Sequence, residues 1–300
     1  MAIKRDLIGY GRARPDIVWP NGARVAVSLV VNFEEGAELA VEQGDADTEK
    51  FGEVQSMQAP GVRDLVQEQV FDYGMRVGLW RFLDALAAHR APATFMMCGR
   101  AVERVPELAR IVVEAGHEPA VHGWRWLPHS RYRDLDSERQ DIMKTRDVIA
   151  AVTGATPVGF MCRGSQSPWT RDLLAELGFA YDSNALNDDL PYWDVSAKGR
   201  RMLVMPYGFD TNDMKFFHPN GFVRPEDFSQ YVGAALDVLL GEAAAGRSSL
   251  LSVGCHLRIC GRPARFAAVQ TILGRLTGLG DRVWVARRQD IGAHFGRNHS

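Results

Sequence analysis

Glu34 and Glu35 stand at the end of an apolar run, Val25 to Val31, separated from it by Asn32 and Phe33 and followed by Gly36. Paired carboxylates at the mouth of a buried strand suit general acid–base chemistry or the holding of a divalent cation. Neighbouring strand residues point oppositely, so one is expected to face a pocket while the other braces the structure. Other ionisable residues follow apolar runs in the same way. His122 comes after "EPAV", Arg163 after "PVGFMC", Tyr207 and Asp210 after "MLVMP", and His256 after "LLSVGC", while Asp182 closes "FAYD". Singly, each is as readily a turn residue, a helix cap or a structural histidine. Collectively they mark one edge, because the opposite ends of the same runs carry only turns such as "WPNGAR", "HRAPAT" and "GLGDR".

The elements that must position them alternate in type. Short, nearly continuous apolar runs at 24–31, 93–98, 118–121, 157–162, 179–182, 202–206, 250–255 and 282–286 read as strands covered on both faces of a parallel sheet. Between them lie helical patterns: Met75–Leu86, Val102–Val112 ended by Gly116, 134–153 capped by Asp134 or Asp136 and ended by Gly154, then 168–177, 226–245 and 264–278. This order predicts an α/β fold, a single distorted (β/α) barrel, with a doubly wound open sheet as the alternative. No G-x-G-x-x-G or Walker loop follows a strand, which argues against a nucleotide site. One catalytic domain over 1–300 is expected, with an N-terminal arm (1–22) and a long loop (37–61) of the kind used as a lid or contact.

Net charge is −2 with no basic run, which excludes a polyanion-binding surface and points to neither nucleic acid nor membrane as partner. No stretch approaches the roughly 20 apolar residues of a membrane span. Four cysteines without a C-x-x-C pair read as reduced, buried thiols, and a cytoplasmic protein is expected.

Five motifs in order resemble the polysaccharide deacetylases of carbohydrate esterase family 4, which share the NodB-homology barrel: "NFEEG" (32–36), "HGWRW" (122–126), "CRGSQSPWT" (162–170), "YDSNALNDDLPYW" (181–193) and "SVGCH" (252–256). Residues 5–38, "DDLPYW" and "GRP" (261–263) resemble the PuuE-type allantoinase and cyclic imide hydrolase branch. The resemblance implies a hydrolase opening a C–N bond in a small cyclic ureide or imide, assembled as a homo-oligomer, with a homotetramer favoured. It also breaks in two places. Where the deacetylases carry two aspartates this chain has Glu34 and Glu35, and where they carry a second histidine ligand it has Trp126. Glu35 and His122 then remain, one short of the three ligands of a catalytic zinc. His129 or Glu118 would have to complete the set. The expectation is no cofactor, as in the allantoinase-like branch, with zinc at Glu35 and His122 as the alternative.

The catalytic set expected is Glu34, Glu35, His122, Arg163 and His256. Glu34 is assigned as general base, Arg163 as the group that orients it or binds a carbonyl, His256 as the acid for the leaving nitrogen, and His122 as the residue that positions water or substrate oxygen. Trp124, Trp126, Asp182, Tyr192, Trp193 and Tyr207 are expected to contact a small planar substrate. The rival readings are a metal-dependent N-deacetylase of an acetylated sugar or peptidoglycan, a cysteine amidase using Cys255 or Cys162, and a binder without chemistry.

Overall fold

The computed structural model describes residues 5–196 and 198–299. β1 (Val25–Phe33) is followed by α1 (Leu65–Tyr73), a π-helical turn at Gly74–Gly78 and α2 (Leu79–Ala88). Then come β2 (Thr94–Met97), α3 (Gly99–Arg104), α4 (Pro106–Glu114), β3 (Glu118–Val121), α5 (Leu135–Thr153), β4 (Gly159–Phe160), α6 (Thr170–Glu176) and β5 (Tyr181–Asp182). The chain ends with β6 (Tyr192–Val195), β7 (Arg201–Val204), α7 (Pro225–Ala244), β8 (Ser249–His256), α8 (Pro263–Leu279), β9 (Val283–Val285) and α9 (Arg288–Asn298).

The strands form one curled sheet in the order β6-β7-β5-β4-β3-β2-β1-β8, with β9 also on β1. Every pairing is parallel except β6 with β7. This is the expected distorted barrel, with four differences. β6 lies between the runs at 179–182 and 202–206, where no strand is expected, and it is an edge strand of only four residues, none of them fully buried. β4 and β5 shrink to two residues each. The 102–112 helix breaks at Pro106, whose ring cannot sit inside a helix, into α3 and α4. α1 and α9 lie outside the helices read from periodicity. The expected caps hold: Asp134 accepts from Ser137 N at the start of α5, and Gly154 closes it in the left-handed region.

Strand alternation sorts β1 into two faces. Val25, Val27, Leu29, Val31 and Phe33 join the large core under the helices. Ser28, Val30, Asn32 and, beyond the last ladder pair, Glu34 turn inward. The interior is therefore layered. A polar base gathers Ser28, Thr94, Ser252 and the fully buried Arg288. An apolar middle contains Val30, Met96, Ala120 and Met161 with Tyr207 packed on it. The upper layer holds Asn32, His122 and His256.

No ladder joins β7 to β8. Pro206, two residues past the end of β7, cannot donate to a neighbour. Residues 205–212 cross the gap instead, with Thr211 Oγ1 donating to Ser252 O (2.5 Å) and Gly254 N to Thr211 O (2.9 Å). Arg288 answers the carbonyls this break leaves over: Nη2 donates to Met205 O (2.6 Å) and Pro206 O (2.9 Å), Nη1 to Ser252 Oγ (2.8 Å) and Nε to Ser183 Oγ (2.9 Å). Burial draws its pKa down against the pull of Tyr181 and Glu118. Arg288→Met would strand Met205 O and take donors from Pro206 O, which keeps Ser252 Oγ (3.2 Å), and from Ser183 Oγ, each buried group left unpaired costing about 1–3 kcal/mol. Urea denaturation should show a loss of roughly 3 kcal/mol or more; a loss below about 1 kcal/mol would mean that the gap closes without the guanidinium.

Candidate active site

The upper layer opens into a cavity of about 370 Å³. Its wall includes Asn32 from β1, His122 after β3, Arg163 after β4, Tyr207 and Asn212 from the crossing segment, His256 at the end of β8, and Trp126. Phe51, from the long loop 37–61, covers one side, and its ring meets Phe217 edge-on at 6.2 Å.

The two glutamates part as strand geometry requires. Glu34 faces inward and is fully buried beneath the two imidazoles, with Oε2 3.4 Å from His122 Nε2 and Oε1 3.7 Å from His256 Nε2. Arg258 Nη1 donates to Glu34 Oε1. Oε2 has no hydrogen-bond partner among the described residues. Burial alone would raise the Glu34 pKa, but Arg258, His256 and His122 together hold it well below the usual carboxylate range. Glu35 turns away. Its Oε1 accepts from Arg258 N (2.9 Å), and its side chain lies where a Cβ on Gly74 would stand, so the π-helical turn can press against it. Burial drives Glu35 upward, Arg258 opposes and the Glu34 charge adds, leaving it raised.

Each histidine is oriented from behind. His122 Nδ1 lies 2.7 Å from Met161 O, which can only accept, so Nδ1 carries a hydrogen and Nε2 faces Glu34. His256 Nδ1 lies 2.6 Å from Asp213 Oδ1, and its backbone N donates to Asp213 Oδ2 (2.7 Å). Burial opposes its charge, yet Glu34 and Asp213 outweigh burial and raise its pKa. The arrangement provides a fixed anion between two imidazoles, one of which is biased toward the charged, proton-donating form.

Other expected residues are placed differently. Arg163 does not reach Glu34. It pairs with Glu49 of the long loop through Nη1 to Oε2 (2.7 Å) and Nη2 to Oε1 (3.2 Å), and stacks on Trp126 at 3.7 Å. The cation on Glu34 is Arg258, two residues past His256, which the sequence reading passed over because the arginine of the third motif filled that role. Asp213 was also missed; Asp210, noted in its place, is exposed. Trp124 packs on Gly99 under the Lys144 ammonium and does not line the cavity. Asp182 is fully buried against Arg171 and Asn184, one step behind the wall. Tyr192 and Trp193 line a separate outer cleft of about 870 Å³ beside residues 5–10. Trp126 and Tyr207 do face the cavity.

The donors do not fit a catalytic zinc. Position 126 is an indole between two guanidinium groups, Arg163 at 3.7 Å and Arg258 at 4.6 Å from its ring, and such a cationic surround repels a dication. Glu35 is engaged by Arg258. His129 is held between Glu138 (3.0 Å) and Asp141 (3.5 Å), and Glu118 accepts from Thr94, Tyr181 and Gln289, so neither supplies the missing ligand. Among the described residues, the one three-donor cluster at ligand spacing is Asp213, Cys255 and Cys260, where Asp213 already accepts from His256 and Cys260. Cys162 faces the cavity, but burial raises its thiol and Sγ contacts Asn184 Oδ1 (3.3 Å), which disfavours it as a nucleophile.

A Schizosaccharomyces pombe protein named as a polysaccharide deacetylase is 34% identical over 98% of both chains. This chain belongs to the polysaccharide deacetylase family. The family's sequence profile matches residues 65–181. Two crystal structures superpose over nearly the whole chain. One, of a probable polysaccharide deacetylase from Pseudomonas aeruginosa PAO1, is 41% identical with a TM-score of 0.91 and covers 99% of each chain. The other, of PuuE allantoinase, is 39% identical with a TM-score of 0.93 and covers 100% of this chain and 99% of that one. The protein is therefore a deacetylase-family hydrolase acting on C–N bonds.

Arg258→Met should leave Glu34 a buried charge without its hydrogen-bonded guanidinium. Removing one partner of a buried pair typically costs about 3–5 kcal/mol, and the Glu34 pKa should rise with it. Chemical denaturation at pH 5 and pH 8 should show the larger deficit at pH 8, where the stranded carboxylate must ionise. An equal deficit at both pH values would contradict this account of the pair.

Proposed function

We propose that the protein hydrolyses a C–N bond in a small cyclic ureide or imide, without a metal. One observation carries the reading: a small, aromatic-walled cavity over the Glu34–His122–His256 cluster, with guanidinium groups in place of a third metal ligand. Likeness to PuuE allantoinase over the whole chain supports the substrate class. A cavity of about 370 Å³ suits a single ring better than a polymer, which needs an open groove. The same proposal includes a homotetramer in the cytoplasm. Four free buried cysteines are consistent with a reducing compartment, and exposed Leu7, Ile8 and Met57 offer apolar contact surface.

In this mechanism a water oxygen attacks the ring carbonyl carbon. The proton it releases passes to the His122–Glu34 pair: Nε2 carries it and Oε2, 3.4 Å away, stabilises the imidazolium. Glu34 thus acts as base through the imidazole that covers it. Collapse of the tetrahedral carbon breaks the C–N bond, and His256, held charged by Asp213 and Glu34, gives its Nε2 proton to the leaving nitrogen. The product is an open-chain amide or ureido acid.

Assays over allantoin, hydantoin, succinimide and dihydropyrimidines test the class. Glu34→Gln should cut turnover by at least about 10²-fold while circular dichroism stays native; near-normal turnover would remove Glu34. Elemental analysis of active enzyme should find far less than one ion per chain, and stoichiometric zinc with chelator-sensitive activity would favour the N-deacetylase reading. Because His256 is raised, the active, protonated acid persists to higher pH, and activity should fall on the alkaline side above the ordinary histidine value of about 6.5. Asp213→Asn removes one raising charge and should shift that limb to lower pH; an unmoved limb would exclude His256 as the acid.

A further inference from the structure

Beneath the catalytic cluster, three side chains form an arrangement with a hydrogen-bonding capacity left open toward the cavity. Asn212 Oδ1 accepts from Met214 N (2.9 Å), which fixes its amide, and its Nδ2 then donates to the Tyr207 hydroxyl (3.0 Å). Asn32 Nδ2 donates to Cys255 O (3.1 Å), which fixes the second amide. With the Asn212 amide hydrogen directed at its oxygen, the Tyr207 hydroxyl keeps its own hydrogen as the group left to give. Asn32 Oδ1 is buried and unpartnered among the described residues, although Asn32 lines the cavity. Gly254 is what makes room. A Cβ there would collide with both the Tyr207 hydroxyl and the Asn212 amide, and Gly254 lies two residues before His256 on the inward face of β8. In register, Asn32 sits opposite His256.

One donor and one adjacent acceptor, both fixed by backbone partners, match the –CO–NH– unit of a ring amide. We propose that Tyr207 and Asn32 read this unit, Tyr207 giving its O–H to the carbonyl oxygen under attack and Asn32 Oδ1 accepting the ring N–H. The assignment rests on the cyclic-amide reading and narrows it to rings with an unsubstituted nitrogen. It also gives the pair a part in turnover. The Tyr207 hydrogen stabilises the oxyanion as the tetrahedral carbon forms. An N–H held by Asn32 turns the face of the nitrogen, released from conjugation with the attacked carbonyl alone, toward the His256 side of the cavity. Burial raises the Tyr207 pKa, so the hydroxyl stays a neutral donor through the working range.

The test compares kcat/KM for succinimide and N-methylsuccinimide in wild type, Asn32→Ala and Tyr207→Phe, with circular dichroism as the check on folding. Wild type should prefer the N–H ring by about tenfold or more, since the methylated ring leaves a buried acceptor unpaired. Asn32→Ala should bring that ratio near one. Tyr207→Phe should lower kcat on both rings by about 10²-fold and keep the ratio, as expected for a lost oxyanion donor. An unchanged ratio in folded Asn32→Ala, or a Tyr207→Phe enzyme within twofold of wild type, would overturn the pair while leaving the hydrolase reading in place. If wild type opens no ring at all, the cyclic-amide reading fails and succinimide binding by calorimetry decides the pair. A tenfold loss of affinity in Asn32→Ala upholds it, and equal affinity or no binding to wild type rejects it.

Discussion

A carboxylate without access to water is the constraint around which the molecule is arranged. Moving Glu34 into the barrel mouth costs several kcal/mol in an effective dielectric far below that of water. Arg258, His122 and His256 offset that cost, and each must in turn be held. Arg258 lies between the faces of Phe71 and Trp126, at 4.4 and 4.6 Å from their centroids, while its own backbone N–H binds Glu35. Trp126 is therefore more than a missing ligand. In the metal-dependent relatives that this chain resembles, the second histidine of the pair helps to hold a dication. Here an indole helps to seat a guanidinium, so the positive charge facing the first carboxylate is covalently part of the chain. A guanidinium cannot bind and polarise a water as a zinc ion does, and the mechanism proposed above therefore gives nucleophile activation to the imidazoles.

Two buried charge systems coexist in one barrel without merging. Arg288 and Glu118 sit in the base, with Glu34 and Arg258 at the mouth, and Val30, Met96, Ala120 and Met161 lie between them. That apolar layer keeps the mouth's field local, so the raised pKa of His256 reflects Glu34 and Asp213 and not the distant Arg288. The base performs a structural task, satisfying carbonyls exposed by the missing β7–β8 ladder. That break is also what allows residues 205–213 to cross the barrel and deliver Tyr207, Asn212 and Asp213 to the site. A regular strand pair there would close the sheet and leave His256 without its carboxylate.

Sequence periodicity exposed the parts that follow from strand phase. Neighbouring strand residues face opposite ways, so it was readable that one of Glu34 and Glu35 turns inward and the other away, as were the strand-end positions of His122 and His256. What could not be read depends on turns. Trp124 and Trp126 are separated by one residue, yet the left-handed Gly123 that precedes them sends Trp124 under α5 and Trp126 to the cavity. Arg258 reaches back to Glu34 only because the chain turns immediately after β8, with Cys260 N donating to His256 O (3.1 Å). Asp213 lies in a short 3-10 turn with no periodic signal. Tyr192 and Trp193 belong to the lone antiparallel strand, whose residues face the outer cleft.

The arginine of the third motif shows how a retained residue can change its task. With Arg258 already on Glu34, a second guanidinium there would leave the carboxylate over-compensated and strip its basic character further. Arg163 instead binds Glu49, 12 residues into the long loop that starts at residue 37, and lies flat on Trp126. The loop brings Phe51 onto the cavity wall beside that pair. An ion pair whose acid is almost fully buried holds the loop far more firmly than an exposed one would. The loop limits the volume of the cavity, and that follows from having the third-motif arginine at the rim and not on the carboxylate. The small chamber and the guanidinium-paired carboxylate are then two outcomes of one distribution of arginine.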